Sequence, residues 1–136
     1  MIIVDTSAWV ALFRATGSPA HQRLRQMLRH QQPVVMLDVV YQELLQGARD
    51  AHHFIRLQAE LDALPTWEPD DSRELHRQAA MLYARCRWRG HTVRSPHDCL
   101  IAASAIEAGL PLLHDDRDFV ALAAVDSRLL FVHDHP

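Results

Sequence analysis

Lysine and asparagine are absent from this 136-residue chain, and all 14 of its basic residues are arginine. Both missing residues have A-rich codons, so a GC-rich coding preference accounts for the pattern, but the chemical consequence holds whatever the cause. A P-loop needs its phosphate-binding lysine and Schiff-base catalysis needs an amine, so neither is open to this chain. Cysteine is scarce too. Cys86 and Cys99 match no metal-binding or redox spacing, and one pair does not make a disulfide framework, so a reduced, cytoplasmic protein is expected. Long apolar runs are also missing. Met1-Ile2-Ile3-Val4 ends at Asp5, too short for a signal peptide or a membrane span, and no later stretch is long enough either, so no membrane association is expected. The ten histidines include no His-Glu-x-x-His, and the pairs His52-His53 and His133, His135 lack helical i,i+4 spacing, so they read as surface residues. The terminal His133-Asp134-His135-Pro136 is not a contiguous tag and reads as a native tail.

What is present suits a folded core. Hydrophobic residues make up 49% and charged residues 23%, which argues against disorder. The length falls in the range of roughly 100 to 150 residues typical of a single domain, so one domain over 1–136 is expected. Seventeen acids against 14 arginines give a net charge of −3, not that of a generally basic nucleic-acid binder.

The pattern alternates strands and helices. Ile2 to Val4 is a short β-branched run, and Trp9, Leu12 and Phe13 then recur at helical spacing. Gly17-Ser18-Pro19 breaks that helix, Leu24, Met27 and Leu28 mark a second, and Pro33 opens the strand Val34 to Leu37. Three further helices follow, through Val40 to Leu45, Phe54 to Leu64 and Leu75 to Cys86. Ser95-Pro96 starts another that runs to about Gly109. Leu112-Leu113 and Leu129 to Val132 read as the last strands, separated by an aspartate-rich turn region. This order predicts an α/β domain with a short parallel sheet flanked by helices.

The acids carry the chemical information. Ligands of an open parallel sheet bind beyond the carboxyl ends of its strands. Asp5 ends the first strand, Asp115, Asp116 and Asp118 follow the strand at Leu112, Asp98 starts a helix, and Glu43 lies on the helix after the second strand. Other roles are open to most of them. Ser95-Pro96-His97-Asp98 has the form of a capping box, and taken alone the cap is the preferred reading. Glu43 could be a plain helix-surface acid, and the three late aspartates could be turn formers. Asp5 is different, because an acid at the end of a buried strand needs a partner or a metal, and Thr6 or Ser7 is available to cap the next helix instead. Four carboxylates in one place repel each other unless a cation is shared among them, and all-oxygen ligation suits magnesium or manganese. Divalent ions of that kind serve phosphoryl-transfer chemistry.

Four segments in order carry a resemblance across the chain: Ile3-Val4-Asp5-Thr6-Ser7, Glu43-Leu44-Leu45-Gln46-Gly47, Asp98-Cys99-Leu100-Ile101-Ala102-Ala103 and Leu112-Leu113-His114-Asp115-Asp116-Arg117-Asp118-Phe119. With them the chain resembles PIN-domain ribonucleases, specifically the VapC-type toxins of bacterial toxin-antitoxin modules. The resemblance implies a Mg2+-dependent endoribonuclease, with Mn2+ as an alternative ion, that cleaves RNA by water attack and leaves a 3′-hydroxyl and a 5′-phosphate. It carries over Asp5, Glu43, Asp98 and Asp116 as catalytic and metal-binding acids, with Ser7 and Asp118 accessory. Asp116 is chosen over Asp115 within the doublet. It also implies inhibition by a cognate VapB-type antitoxin and assembly as a homodimer.

RNA affinity must then come from local positive charge. The densest candidate is Arg85, Arg87, Arg89 and Arg94, with Trp88 available to stack on an unpaired base. A solvated helix end is the competing reading. Arg117 is expected to pair with Asp115 or Asp118. A receiver domain or a haloacid-dehalogenase-type phosphatase would need a lysine, which excludes both. The alternative of another class is a PIN-like module that binds RNA or protein without catalysis.

Overall fold

The computed structural model describes residues 1–132, and the tail from His133 to Pro136 lies outside the described residues. A three-stranded parallel sheet is formed by β1 (Ile2–Val4), β2 (Val34–Val35) and β3 (Leu112–Leu113), in the order β2-β1-β3. Ile2 faces Val34 across the ladder, and Val4 faces Leu113. All three strands are buried, as expected of β-branched and leucine runs covered on both faces. Between β1 and β2 lie α1 (Thr6–Arg14) and α2 (Pro19–Arg29). Between β2 and β3 lie α3 (Asp38–Gln46), α4 (Ala51–Asp62), α5 (Ser72–Trp88) and α6 (Pro96–Ala108), and α7 (Asp118–Val125) follows β3.

Single parallel bridges, Met36 to Thr66 and Leu112 to Phe131, widen the sheet at each edge. The strand expected over Leu129 to Val132 is thus one bridge, held by hydrogen bonds of Leu112 N to Leu130 O and Val132 N to Leu112 O, each 2.9 Å. The larger departure precedes it. The stretch read as an aspartate-rich turn contains α7, because Phe119, Leu122 and Val125 recur every three residues and are all buried. The acids around Asp116 dominated the local pattern and hid this apolar period.

Helix α6 positions the site. Cys99, Ile101, Ala102, Ala103 and Ala105 are buried, so the helix is apolar nearly all round, as a helix at the centre of a domain must be. Its small residues let α5 pack closely through Leu75, Ala79, Leu82 and Cys86. This rigid setting fixes the first turn of α6, and with it Asp98, near the carboxyl ends of β1 and β3.

Candidate active site

Asp5 leaves β1 and turns straight into α1, where it is the N-cap, so Thr6 and Ser7 do not take that role as the sequence suggested. Its Oδ2 accepts from the Ser7 backbone N–H at 2.9 Å and from the Ser7 hydroxyl. The helix begins at Thr6, which makes Ser7 the second helical residue, the position an N-cap side chain reaches. The Thr6 hydroxyl is directed to a second acid, and the Ser7 oxygen that donates to Asp5 also takes a backbone N–H. Thr6 Oγ1 donates to Glu43 Oε1 at 2.8 Å, and Ser7 Oγ accepts from the Asp115 backbone N–H at 2.8 Å. Asp5 is only 2% exposed, and its Oδ1 has no hydrogen-bond partner among the described residues. Burial, with Glu43 nearby, pushes its carboxyl up to about 6 despite the bonds from Ser7.

Asp98 is not engaged in a capping box. Ser95 stands at the N-cap of α6 with extended backbone but makes no side-chain capping bond, and Asp98 is buried. Burial, followed by the charges of Asp5, Asp116, Glu43 and Asp118, pushes its carboxyl up to about 7. Those four influences show that the acids converge on one place although their sequence positions span the chain.

The late acids separate by role. Asp115 is exposed and contributes its backbone N–H. Asp116 is half-buried, and its Oδ1 accepts from Arg94 Nη2 at 2.6 Å and from the Asp118 backbone N–H at 2.9 Å. Asp118 is buried. Its Oδ2 accepts from the Arg94 backbone N–H and Nε, both at 3.1 Å, and His91 Nε2 lies 3.1 Å from Oδ1. Burial alone would raise its carboxyl, but these bonds from Arg94 and His91 outweigh it and hold the group below the ordinary carboxylate range. Glu43 Oε2 lies 3.7 Å from His97 Nδ1.

Carboxylate oxygens of Asp98, Asp116 and Asp118 lie within 4.8 Å of one another, a spacing that suits a shared cation. The donor set is all oxygen, the chemistry that magnesium and manganese take. Asp5 completes the fit with its unpartnered, buried Oδ1. Asp118, whose two oxygens are already bonded to Arg94 and His91, is the least available of these acids.

The arginine cluster does not form one patch. Arg85 and Arg87 stand two residues apart on α5, roughly 200° around the helix. Arg87 lines a groove of about 610 Å3 between α5 and α6 with Tyr83 and His97, whereas Arg85 lines a small pocket with Asp126 and Arg128. Arg89 reaches the Ala124 carbonyl at 3.4 Å, Trp88 is 67% exposed, and Arg94 lies on the acids. Arg117 makes no pair with Asp115 or Asp118 among the described residues. Sequence reasoning missed Thr6, His91 and His97 as partners of the acids. Their signal was proximity in sequence alone, Thr6 next to Asp5, His97 next to Asp98 and His91 three residues before Arg94.

A short parallel sheet with an acid-lined carboxyl edge is the arrangement of a PIN domain, and residues 2–125 match that family. The chain belongs to the PIN-domain family. Its relatives within it include the ribonuclease VapC11 of Mycobacterium tuberculosis, 41% identical over 126 residues, covering 92% of this chain and 93% of that protein. The ribonuclease VapC51 of the same organism is 32% identical, over 90% of this chain and 85% of its own length. Among solved structures, the VapBC2 complex of Rickettsia felis, bound to a DNA fragment from its promoter, contains a chain with the same fold. The TM-score is 0.69 at 18% identity, over 97% of this chain and 98% of that one. No helix among the described residues is long and apolar enough to cross a membrane.

Proposed function

We propose that this protein is the endoribonuclease toxin of a VapBC-type toxin-antitoxin pair, a single PIN domain over 1–136 acting in the cytoplasm on RNA. The observation that carries the reading is the convergence of Asp98, Asp116 and Asp118, with carboxylate oxygens within 4.8 Å of one another, beside the buried Asp5, whose Oδ1 has no partner among the described residues. Asp5, Asp98 and Asp116 would hold Mg2+ or Mn2+, with Glu43 orienting the site through Thr6 and His97. When bound, such an ion supplies the Lewis acidity that activates water and stabilises the leaving oxygen of a phosphodiester.

The chain's own residues provide the rest. Ser7 fixes Asp5 and, through Asp115, ties the end of β1 to the loop after β3, so two strand ends keep a set separation. Arg87, which lines a groove with His97, itself 3.7 Å from Glu43, and the exposed Trp88 beside it in sequence are the residues suited to hold RNA. Arg85 and Arg89 are directed elsewhere. The relatives' names and the toxin-antitoxin complexes among the structural neighbours support a VapB-type antitoxin as partner, and the family resemblance supports a homodimer.

The test is cleavage of total cellular RNA by purified protein with Mg2+ or Mn2+, beside EDTA and the variants Asp5→Asn and Asp98→Asn. Cleavage in the metal arms alone is expected, falling to background in both variants. Cleavage that persists in EDTA would sink the metal reading. RNA binding without cleavage in any arm would instead favour a binding module.

A further inference from the structure

The guanidinium of Arg94 lies across two acids of unequal kind. Asp118 is buried, with a side chain 3% exposed, and it holds Arg94 twice, through the backbone N–H and through Nε. Asp116 is 22% exposed and holds Arg94 once, through Nη2 at 2.6 Å. His91 secures the other oxygen of Asp118, so the segment carrying Arg94 is anchored at two residues. Arg94 itself remains 63% exposed at the mouth of the acid cluster.

We propose that Arg94 is a tethered counter-cation, with a permanent seat on Asp118 and an exchangeable one on Asp116. The inference rests on the metal-dependent reading above and deepens it. In the metal-free protein the guanidinium neutralises Asp116, one of the carboxylates a divalent ion needs, so Arg94 competes with the ion. Once Asp116 turns its oxygen to a cation, the Nη2 contact is lost. The Nε and backbone bonds to Asp118 still hold the side chain in place, and its freed N–H groups face outward from the site edge. A planar fork with unused donors beside a divalent site is suited to a phosphate oxygen, which arginine can bind through two parallel bonds. Arg94 is thus a positioning group in the free protein and a phosphate contact in the loaded one. The buried Asp118 serves to hold it there, which explains why an acid with both oxygens bonded sits beside the metal ligands.

Three measurements on the full chain test this. Calorimetric titration with Mn2+ alone, without RNA, should show Arg94→Gln binding the ion roughly two- to fivefold more tightly than wild type, as expected for loss of a partly exposed competitor. In single-turnover cleavage the same variant should require more RNA to reach half its maximal rate. Equal or weaker Mn2+ affinity in Arg94→Gln, with wild type binding normally, would overturn the role of Arg94 and leave the metal reading intact. Absence of Mn2+ binding in both proteins would overturn the metal reading and this inference with it. The third measurement needs no variant. In NMR spectra of 15N-arginine-labelled wild type titrated with Mg2+, the Arg94 Nη signals should move while Nε keeps its hydrogen-bonded position. Unmoved Nη signals at saturating Mg2+ would refute the exchange.

Discussion

Asp5 and Asp98 illustrate how a single residue type takes its properties from its place. Both keep protons at pH values where the unfolded chain, with the ordinary value of 3.8, has released them, since burial raises Asp5 to about 6 and Asp98 to about 7. The folded state therefore binds more protons in that interval, and the stability they contribute falls as pH rises from 3.8 toward 7, levelling off above it. His114 acts in the opposite sense. Its ring is lowered by burial from 6.5, so the folded state gains as pH rises through that value. A wild-type melting curve mixes the two, and a comparison with Asp98→Asn separates them. In EDTA, Asp98→Asn should be more stable than wild type at pH 8, and the gap should be larger than at pH 5 by about 1–2 kcal/mol after solvent screening. Urea denaturation at the two pH values measures it, and a gap independent of pH would show that Asp98 is an ordinary acid. Asp5 is a milder case, because asparagine caps a helix as well as aspartate does, so Asp5→Asn should fold with α1 intact. The acid positions were legible in the chain because each one ends a strand or starts a helix. What Asp5 does with its two oxygens was not, since both capping and ligation call for the same residue.

Element α7 shows where the sequence pattern misled and what the error concealed. Its apolar run, Phe119 to Val125, follows four residues that include three aspartates, and those acids suggested a turn. The helix starts at the last of them, Asp118, and that is how Asp118 comes to be buried and aimed at Arg94. Without α7 the acid would have been an exposed turn former and the seat of Arg94 would not exist. Phe119 is fully buried and stacks at 5.1 Å, ring centroid to centroid, on His114, the residue just after β3. Phe119→Ala should thus cost about 3–5 kcal/mol, the range for deleting a buried phenyl ring. The loss should be accompanied by faster hydrogen exchange at Asp118 and Arg94. Equilibrium denaturation measures the first, and a cost below about 1 kcal/mol would mean that α7 is only loosely docked. The three strands, by contrast, were legible in type and chain order because short β-branched or leucine runs beside proline or aspartate have few alternatives. Their true lengths depend on edge pairing, which local pattern does not encode.

For the whole molecule the net charge of −3 sets a limit on how RNA can be held. There is no lysine, the acids occupy the sheet edge, and the arginine-rich stretch around α5 is distributed over different faces of the molecule. Of its members, Arg94 lies on the acid cluster and Arg87 lines the groove with His97, while Arg89 is turned to the end of α7 and Arg85 to Asp126. Few phosphates are neutralised in such an arrangement. Each phosphate contact to single-stranded nucleic acid contributes about 0.7 to the slope of log affinity against log salt, so two contacts predict a shallow slope of about 1.4 in magnitude. The measurement is stopped-flow fluorescence anisotropy of a single-stranded RNA oligonucleotide with the wild-type protein at fixed Mg2+ and varied monovalent salt, read before cleavage. Adding Arg87→Ala should lower the slope by about 0.7, and adding Arg85→Ala should leave it unchanged. A steep slope that responds to Arg85 and not to Arg87 would place the RNA on the other face of α5, away from the acids. Trp88 offers an independent check, because stacking on a base is insensitive to salt. Trp88→Ala should weaken binding by a similar factor at every salt concentration, leaving the slope intact, and this separates a stacking contact from an electrostatic one.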